Sequence, residues 1–337
     1  MSERKTIQSY EWARVLGALA VVCLHAVVAT RLVPELHQGN AALFLAEDVL
    51  CVPLTRWAVP VFFMVSGALL LDPGRQMTLE KVGRYVWRMA FILLTIGFAF
   101  CVMELVASFG FYGLLTFQAA FLNLLQGLSW GHLWYVYALI GLYLITPILS
   151  AYVRVATQRD LAIVALVGYA LLCVAPTIDL VAGTKLYAFL GTGSPVVYYL
   201  AGYYASTYLE LDAKVIGAGA LALAANLVAF AFDPELASQL ALPEYAFALP
   251  FSVLAFVAIR SLLERPMRER GLARALARDS FGIYLLHPLF GHVILRVPAL
   301  VTLPLPVLQL TIVVVGVAGS AVLTRLLRLL PPFASKL

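Results

Sequence analysis

Long apolar runs dominate the chain, and short polar stretches carrying most of the charged residues separate them. Each run approaches the roughly 20 residues that one helix needs to cross the hydrocarbon core of a bilayer. The pattern predicts an all-α integral membrane protein, a bundle of about ten transmembrane helices. The predicted spans lie at about residues 11–30, 52–71, 87–107, 132–153, 160–181, 188–208, 213–232, 244–263, 280–299 and 305–330.

An eleventh apolar run, residues 113–128, differs from the other ten. It is shorter than a span and contains Gln118, Asn123 and Gln126. We expect this segment to lie along the outer membrane surface or to re-enter the membrane without crossing it.

The distribution of basic residues predicts the orientation. With ten spans, 18 Lys and Arg residues fall in one set of loops and termini, and four fall in the other, with Arg14 inside the membrane. Cytoplasmic loops carry the basic excess, so both termini should face the cytoplasm from an inner membrane. If residues 113–128 also crossed the membrane, every later loop would change sides, and the arginine-rich loop 260–278 would lie outside. The four outer basic residues are Arg31, Arg56, Lys185 and Arg296.

Composition excludes a soluble globular protein. Hydrophobic residues make up 63% of the chain and charged residues 12%, with a mean hydropathy of +0.93. Soluble domains are nearer half apolar and a quarter charged. The net charge of +5 is explained by the cytoplasmic loops, and we expect no nucleic-acid partner. We find no linker or internal repeat, so residues 1–337 are predicted to form one membrane-embedded domain. The four cysteines show no paired spacing, so no metal site is expected.

The first span carries an unusual polar stripe. The stretch RVLGALAVVCLH places Arg14 and His25 eleven residues apart, which is about three helical turns, so both share one face about 16 Å apart. Glu11 lies three residues before Arg14 and is spaced to pair with it. Intramembrane ionisable groups usually line a cavity or pathway. The alternatives are that Arg14 snorkels to lipid phosphate and His25 only packs. We also expect no signal cleavage in this interrupted run.

Four motifs in order resemble the acyltransferase-3 family of membrane-bound acyltransferases. The first is the Arg14–His25 spacing; the others are VPVFFMVSGALLL (59–71), HLWYVYALIGLYLITPIL (132–149) and DSFGIYLLHPLFGHVILR (279–296). The chain looks most like the enterobacterial-common-antigen O-acetyltransferase type. The resemblance implies transfer of an acyl group, commonly acetyl, from cytoplasmic acyl-coenzyme A to a hydroxyl of an envelope glycan or related carbohydrate, free or lipid-linked. It implies no permanently bound cofactor, because acetyl-coenzyme A is a substrate.

The resemblance also implies residue roles. His25 is the expected general base, which suits imidazole because it exchanges protons near neutral pH. Arg14 is expected to act with it and to hold the donor, supplemented by Arg84 and Arg88 at the inner start of the third span. Ordinary positive-inside anchoring explains Arg84 and Arg88 equally well. His287, beside a helix-bending proline, is expected to support the site or to satisfy a carbonyl freed by Pro288.

Other candidates have competing interpretations. Ser66 is a potential nucleophile, but packing beside Gly67 is the favoured interpretation. Aromatic and histidine side chains at the outer start of the fourth span form either an interfacial belt or a platform for the acceptor sugar; they are His132, Trp134 and Tyr135.

Two other function classes fit a chain of this kind. A multi-pass transporter or flippase also places ionisable groups at mid-depth, although such carriers often show inverted repeats. A non-catalytic scaffold would tolerate loss of His25, whereas an acyltransferase would not.

Overall fold

The computed structural model describes residues 2–186, 193–263 and 271–337, with side chains described from residue 8 onward. Over these residues the regular structure is helical, as predicted. The start of the predicted 188–208 span and Arg265, Arg268 and Arg270 lie outside the described residues. The α-helices are α1 Ser2–Arg31, α2 Ala41–Ala46, α3 Val52–Thr55, α4 Ala58–Leu70, α5 Leu79–Ile92, α6 Phe98–Phe109, α7 Leu114–Leu125, α8 Trp134–Val155, α9 Gln158–Tyr169, α10 Ala175–Ala182, α11 Ser194–Tyr208, α12 Ala213–Phe232, α13 Pro234–Leu240, α14 Ala248–Leu262, α15 Leu272–Ile294, α16 Pro298–Val301 and α17 Leu305–Arg328.

Short turns of other helix types join several of these elements. Two are 3₁₀ turns, Pro34–Leu36 and Gly131–Leu133. Three are π-helical turns, Glu47–Cys51, Leu93–Gly97 and Ala170–Val174. Each π turn runs directly into the helices on either side, so that α2–α3, α5–α6 and α9–α10 form longer helical units.

Seven helical segments among the described residues are long and apolar enough to cross a membrane. Helices also occupy the other three predicted spans, but α11 and α14 are shorter and α15 begins with Arg274, Arg278 and Asp279. A span count of ten therefore stays a prediction. The seven segments are Gln8–Arg31, Ala41–Leu70, Leu79–Phe109, Gly131–Val155, Gln158–Ala182, Ala213–Phe232 and Leu305–Arg328.

Polar caps mark where several helices begin. The Thr157 side chain accepts a hydrogen bond from the Asp160 backbone, and Asp160 accepts one from the Thr157 backbone, which forms a capping box at α9. Thr78 caps α5, Asp212 caps α12 and Asp233 caps α13, each with a side-chain oxygen that accepts a hydrogen bond from backbone N–H groups of the first turn. Each cap satisfies backbone N–H groups that lack a partner in the first helical turn.

The described chain divides into two compact units. The first contains residues up to Leu69, residues 156–329 and Leu337; the second contains residues 70–155 and 330–336. In the first unit, α1, α15 and α17 pack against one another. A side chain at Gly282 on α15 would lie 2.0 Å from Thr324 Oγ1 on α17, so a glycine is needed for this approach.

Helices α4 and α11, also in the first unit, cross through two glycines. A Cβ atom at Gly67 would lie 1.8 Å from the backbone oxygen of Tyr199, and one at Gly202 would lie 2.1 Å from the backbone oxygen of Met64. Small residues at such crossings let two helix backbones approach closely within a membrane.

The second unit is built on α5 packed against α8 and α6 packed against α7. The C-terminal segment belongs to it: Arg88 Nε donates a hydrogen bond to the Lys336 carbonyl at 2.7 Å, and the rings of Phe91 and Phe333 lie 5.1 Å apart. Helix α7 has 12 residues. Its length of about 18 Å is short of the roughly 30 Å hydrocarbon core.

We predict that Gly202→Ala destabilises the protein, because its new methyl group meets backbone that cannot rotate away. Overpacking of this kind costs about 1–3 kcal/mol. Gly217→Ala is the matched control: Gly217 is also helical, but a Cβ there meets no atom within 4 Å. Thermal unfolding in one detergent should show a lower midpoint for Gly202→Ala and an equal or higher one for Gly217→Ala. Equal midpoints for both variants would contradict the described crossing.

Candidate active site

Two histidines from distant parts of the sequence meet inside the first unit. His25 Nδ1 lies 2.6 Å from His287 Nε2, within hydrogen-bond distance. The rings are nearly parallel, with centroids 4.9 Å apart. His287 is buried, with 3% of its surface exposed, and His25 is half-buried. Helix α1 supplies one ring and helix α15 the other, so the packing of these two helices forms the pair.

A backbone carbonyl defines the protonation of the pair. His287 Nδ1 lies 3.0 Å from the Ile283 carbonyl oxygen, which can only accept a hydrogen bond. In the neutral ring, Nδ1 therefore carries the proton, and Nε2 must accept. It follows that His25 Nδ1–H donates to His287 Nε2, and that the remaining lone pair of neutral His25 is on its Nε2. The directions of these two hydrogen bonds therefore make His25 Nε2 the atom that can accept a proton.

The sequence around His287 explains its position. Pro288 lacks an N–H and therefore cannot bond the Tyr284 carbonyl one turn earlier. The His287 side chain bonds the Ile283 carbonyl instead, so it does not fill the position that Pro288 leaves. Gly316 of α17 packs beside His287 on α15, since a Cβ there would make ordinary contacts with Val22 at 3.5 Å and with His287 Cβ at 3.8 Å.

Arg14 and Glu11 lie earlier on the same continuous helix α1, and both are half-buried. The helix is unbroken from Arg14 to His25, as the shared polar face requires. Glu11 Oε2 is buried and has no hydrogen-bond partner among the described residues. The roles predicted for Arg14 and Glu11 stay predictions.

Ser66 lies on α4, where it back-bonds within its own helix. Its hydroxyl donates to the Phe62 carbonyl at 2.9 Å, and the neighbouring Gly67 makes the close crossing with α11. This local geometry supports packing at Ser66, and nothing in it activates the hydroxyl as a nucleophile.

Arg84 and Arg88 lie on α5 in the second unit, where their environments differ. Arg84 is exposed, and its Nε lies 4.0 Å from Glu80 Oε1, a surface pair that contributes little. Arg88 is half-buried and donates to the Lys336 carbonyl. Arg88, one of the two arginines expected to supplement donor binding, thus also holds the C-terminal segment, a contact that the sequence did not indicate. Their donor-binding role stays a prediction.

His132, Trp134 and Tyr135 also belong to the second unit. The His132 ring is buried next to a stacked pair, Phe100 and Trp130, whose centroids are 4.1 Å apart. Tyr135 is buried, and Trp134 is 37% exposed. Two of the three side chains are therefore largely packed inside the unit, which leaves Trp134 as the most accessible of the predicted sugar-stacking residues.

Comparison with known proteins identifies the family. The model of the acyltransferase-3 family, described as an acyltransferase domain, matches residues 7–326, nearly the whole chain. The chain belongs to the acyltransferase-3 family. No curated protein and no solved structure gives a match. Family membership and the apolar helices together indicate a membrane acyltransferase.

For an acyltransferase-3 protein, the described site offers an acid–base pair. Among the described residues no three His, Cys, Asp or Glu side chains are grouped so as to hold a metal ion. The site residues described above are an imidazole pair with defined tautomers and ionisable groups elsewhere along α1. This arrangement suits proton transfer to and from a reacting hydroxyl or thiol.

A buried carboxylate that the sequence motifs did not single out ties α15 to α17. Asp279, with 2% of its surface exposed, accepts from Arg325 Nε at 2.8 Å and from Arg328 at 2.5 Å. Two arginines three residues apart thus tie α17 to α15, eight residues before His287. The signal was present, since Asp279 is the acid that opens the fourth motif. An exposed bridge would matter little, but a buried carboxylate needs such partners.

We predict that neutral His25 carries its proton on Nδ1, because His287 Nε2 is the acceptor. Nitrogen NMR of [¹⁵N]histidine-labelled protein in nanodiscs distinguishes the two tautomers. His287→Phe should remove this preference at His25, while His37→Phe, a change at an exposed histidine, should not. A wild-type His25 with its proton on Nε2 would contradict the assigned hydrogen-bond direction.

Proposed function

We propose that the protein is an O-acyltransferase that moves an acyl group, favoured to be acetyl, from cytoplasmic acyl-coenzyme A to a hydroxyl of an envelope glycan or related carbohydrate. Membership of the acyltransferase-3 family supports the reaction class. The observation that carries the proposal is the His25–His287–Ile283 hydrogen-bond series, which leaves His25 Nε2 as the basic atom of the pair.

The proposed chemistry requires one base that becomes an acid. His25 Nε2 takes the proton of the acceptor hydroxyl as the oxygen attacks the thioester carbonyl carbon. The tetrahedral intermediate collapses, the carbon–sulfur bond breaks, and the imidazolium returns the proton to the departing sulfur. The products are an ester and free coenzyme A, so protons balance over the cycle.

His287 is proposed as the positioning residue for this cycle. When His25 becomes positively charged, its Nδ1–H still donates to His287 Nε2, and hydrogen bonds to charged groups are the stronger ones. The Ile283 carbonyl keeps His287 in the accepting tautomer. The pair therefore stabilises the imidazolium without competing for the transferred proton.

Arg14 is proposed to bind the donor. It lies eleven residues before His25 on α1, about 16 Å along the axis. With both termini cytoplasmic, as the 18-to-4 basic asymmetry favours, Arg14 is at the side where acyl-coenzyme A is available. A guanidinium binds phosphate or carbonyl oxygens through two parallel N–H donors. In this orientation the protein is an inner-membrane enzyme in which α7 does not span.

We predict that His25→Ala lowers acyl transfer by about 10²–10⁴-fold, the usual contribution of a positioned acid–base group. His25→Gln should not restore activity, because an amide cannot take up the proton. His292→Gln, at an exposed histidine of α15, is the matched control. The assay follows label from acetyl-coenzyme A into envelope glycan extracted from cells that lack this protein. A stable His25→Ala protein with near wild-type transfer would end the proposed mechanism.

We predict that Arg14→Ala weakens binding of acetyl-coenzyme A by about 10–100-fold, since a hydrogen bond to a charged group contributes about 1.5–3 kcal/mol. Arg14→Lys should restore little, because an ammonium cannot form the two-pronged contact. Arg159→Ala, at an exposed arginine near the start of α9, should bind normally. Calorimetry on purified protein measures all three. Unchanged affinity in Arg14→Ala would remove Arg14 from the donor site.

A further inference from the structure

A cluster of charged side chains lies at the cytoplasmic end of the first unit, in the orientation proposed above. Asp279 on α15 is buried and accepts hydrogen bonds from two arginines of α17. Arg325 Nε donates to Asp279 Oδ2 at 2.8 Å, and Arg328 Nη1 donates to Asp279 Oδ1 at 2.5 Å. We call these three residues the Asp279 cluster. Because two guanidinium groups share one carboxylate, the cluster carries an excess of positive charge.

The two arginines of the cluster differ in how much of their hydrogen-bonding capacity is used. Arg328 donates to Asp279 from Nη1 and to the Arg278 carbonyl from Nη2, and its side chain is 25% exposed. Arg325 donates only from Nε to the residues that the structure describes, and its side chain is 55% exposed. Both Nη groups of Arg325 therefore keep their N–H donors for a partner that these residues do not supply.

The bond to Asp279 distinguishes Arg325 from an arginine that only anchors a helix end. An anchoring side chain snorkels toward the lipid headgroups and keeps much of its rotamer freedom. The Nε bond to a buried carboxylate instead holds the Arg325 guanidinium in one place on α17. A donor that is already held loses less freedom when an anion binds to it. Asp279 is thus a positioning residue, and Arg325 is the residue available to a ligand.

Arg260 of α14 shows the opposite arrangement within the same unit. Its guanidinium donates to the carbonyl oxygens of Ala205, Ser206 and Leu209 at the end of α11. These contacts engage both Nη groups and tie α14 to α11, so Arg260 has a structural role. Arg325 makes no such contact with a helix end among the described residues, and its terminal donors stay available.

The alignment of α1 with α17 places Arg325 at the depth of Arg14. The two helices run antiparallel, with Val22 of α1 beside Gly316 of α17. Arg14 is eight residues before Val22, and Arg325 is nine residues after Gly316. These separations are about 12 and 14 Å of helix, so both arginines lie at nearly the same depth on the cytoplasmic side of the histidine pair.

A fixed guanidinium beside an excess of positive charge suits a phosphate group. Its parallel N–H donors match phosphate oxygens, which accept two hydrogen bonds at once. Arg278 is exposed next to Asp279 in α15 and adds a further positive charge. The Asp279 carboxylate is already engaged by its two arginines, which offset its repulsion of an anion. At this membrane surface, phosphates come from the coenzyme A donor or from anionic lipid headgroups.

We propose that the Asp279 cluster is a phosphate-binding site, in which Arg325 binds the phosphate and Asp279 positions Arg325. With the donor as the source, the diphosphate or the ribose 3′-phosphate of coenzyme A binds Arg325, and the acyl-pantetheine arm extends along α1 toward His25. Arg14 and Arg325 then reach one donor from two helices of the same unit. The identity of the donor as the phosphate source rests on the proposed function.

The first experiment measures phosphate binding without acyl transfer. Full-length protein in phosphatidylcholine nanodiscs is titrated by calorimetry with coenzyme A and with adenosine 3′,5′-bisphosphate. Arg325→Gln should weaken both interactions about tenfold, the loss expected for a hydrogen bond to a charged group. Arg325→Lys keeps the charge but lacks the two-pronged donor, so it should restore little. Arg159→Gln removes the same charge from an exposed arginine of α9 and should bind like wild type.

Asp279→Asn tests the positioning role. The change keeps the side-chain shape but removes the negative charge that holds both arginines. A site that works by net charge alone would bind adenosine 3′,5′-bisphosphate more tightly after this change. A site that depends on a fixed guanidinium should bind it more weakly, which is the expected result. Thermal unfolding midpoints identify any variant that has lost its fold, and tighter binding by folded Asp279→Asn would contradict the positioning role.

A second measurement distinguishes the two phosphate sources. Native mass spectrometry of protein released from nanodiscs that contain phosphatidylglycerol counts the anionic lipids that stay bound. If the donor is the source, Arg325→Gln loses affinity for coenzyme A and retains as many lipids as wild type. If lipid is the source, Arg325→Gln retains fewer lipids and binds coenzyme A normally, so the phosphate site stands outside the donor path. Folded Arg325 variants that match wild type in both measurements would overturn the site.

Kinetics separate this inference from the proposed function. If the protein acylates a glycan and Arg325→Gln leaves the KM for acetyl-coenzyme A unchanged, the donor does not use Arg325 and the proposed function stands. If Arg325→Gln loses binding of adenosine 3′,5′-bisphosphate but wild type transfers no acyl group to any glycan, the phosphate site stands and the proposed function fails.

Discussion

Within helices this apolar, a polar side chain must find its partner inside the protein, and this constraint explains many of the described side-chain hydrogen bonds. Hydroxyls such as Thr146, Ser252 and Thr324 donate to a carbonyl one turn earlier in their own helix. Arg260 of α14 donates to the carbonyls at the end of α11, including those of Ala205 and Ser206. Lipid offers no alternative partners, so satisfied groups hold the helices together.

The same constraint makes the exceptions informative. Asp279 is buried but receives two arginines, so it stabilises the packing of α15 on α17. The histidine pair also has partners inside the protein: His25 Nδ1–H donates to His287 Nε2, and His287 Nδ1–H donates to the Ile283 carbonyl. Asn226, Arg56 and Glu244 differ because each keeps a buried atom without a partner among the described residues.

Much of the helical fold follows from the sequence, because apolar run length and polar punctuation act locally. Thr157 with Asp160, for example, caps α9 at the start of a predicted span. The number of spans does not follow in the same way, since α15 carries charged residues in its first turns that hydropathy alone cannot place. His25 and His287 were each candidates from motifs, but their hydrogen bond was not predicted. They are 262 residues apart, and only tertiary packing brings them together.

The Ile283 carbonyl has a consequence beyond catalysis. A series of imidazoles inside a membrane can conduct protons, and a conducting series would dissipate the gradient that the membrane maintains. The described series ends on a peptide oxygen, which accepts a hydrogen bond but does not take up a proton at physiological pH. His287 therefore cannot pass a proton onward in that direction. The pair can therefore hold a proton for chemistry, and the Ile283 carbonyl does not carry that proton further along α15.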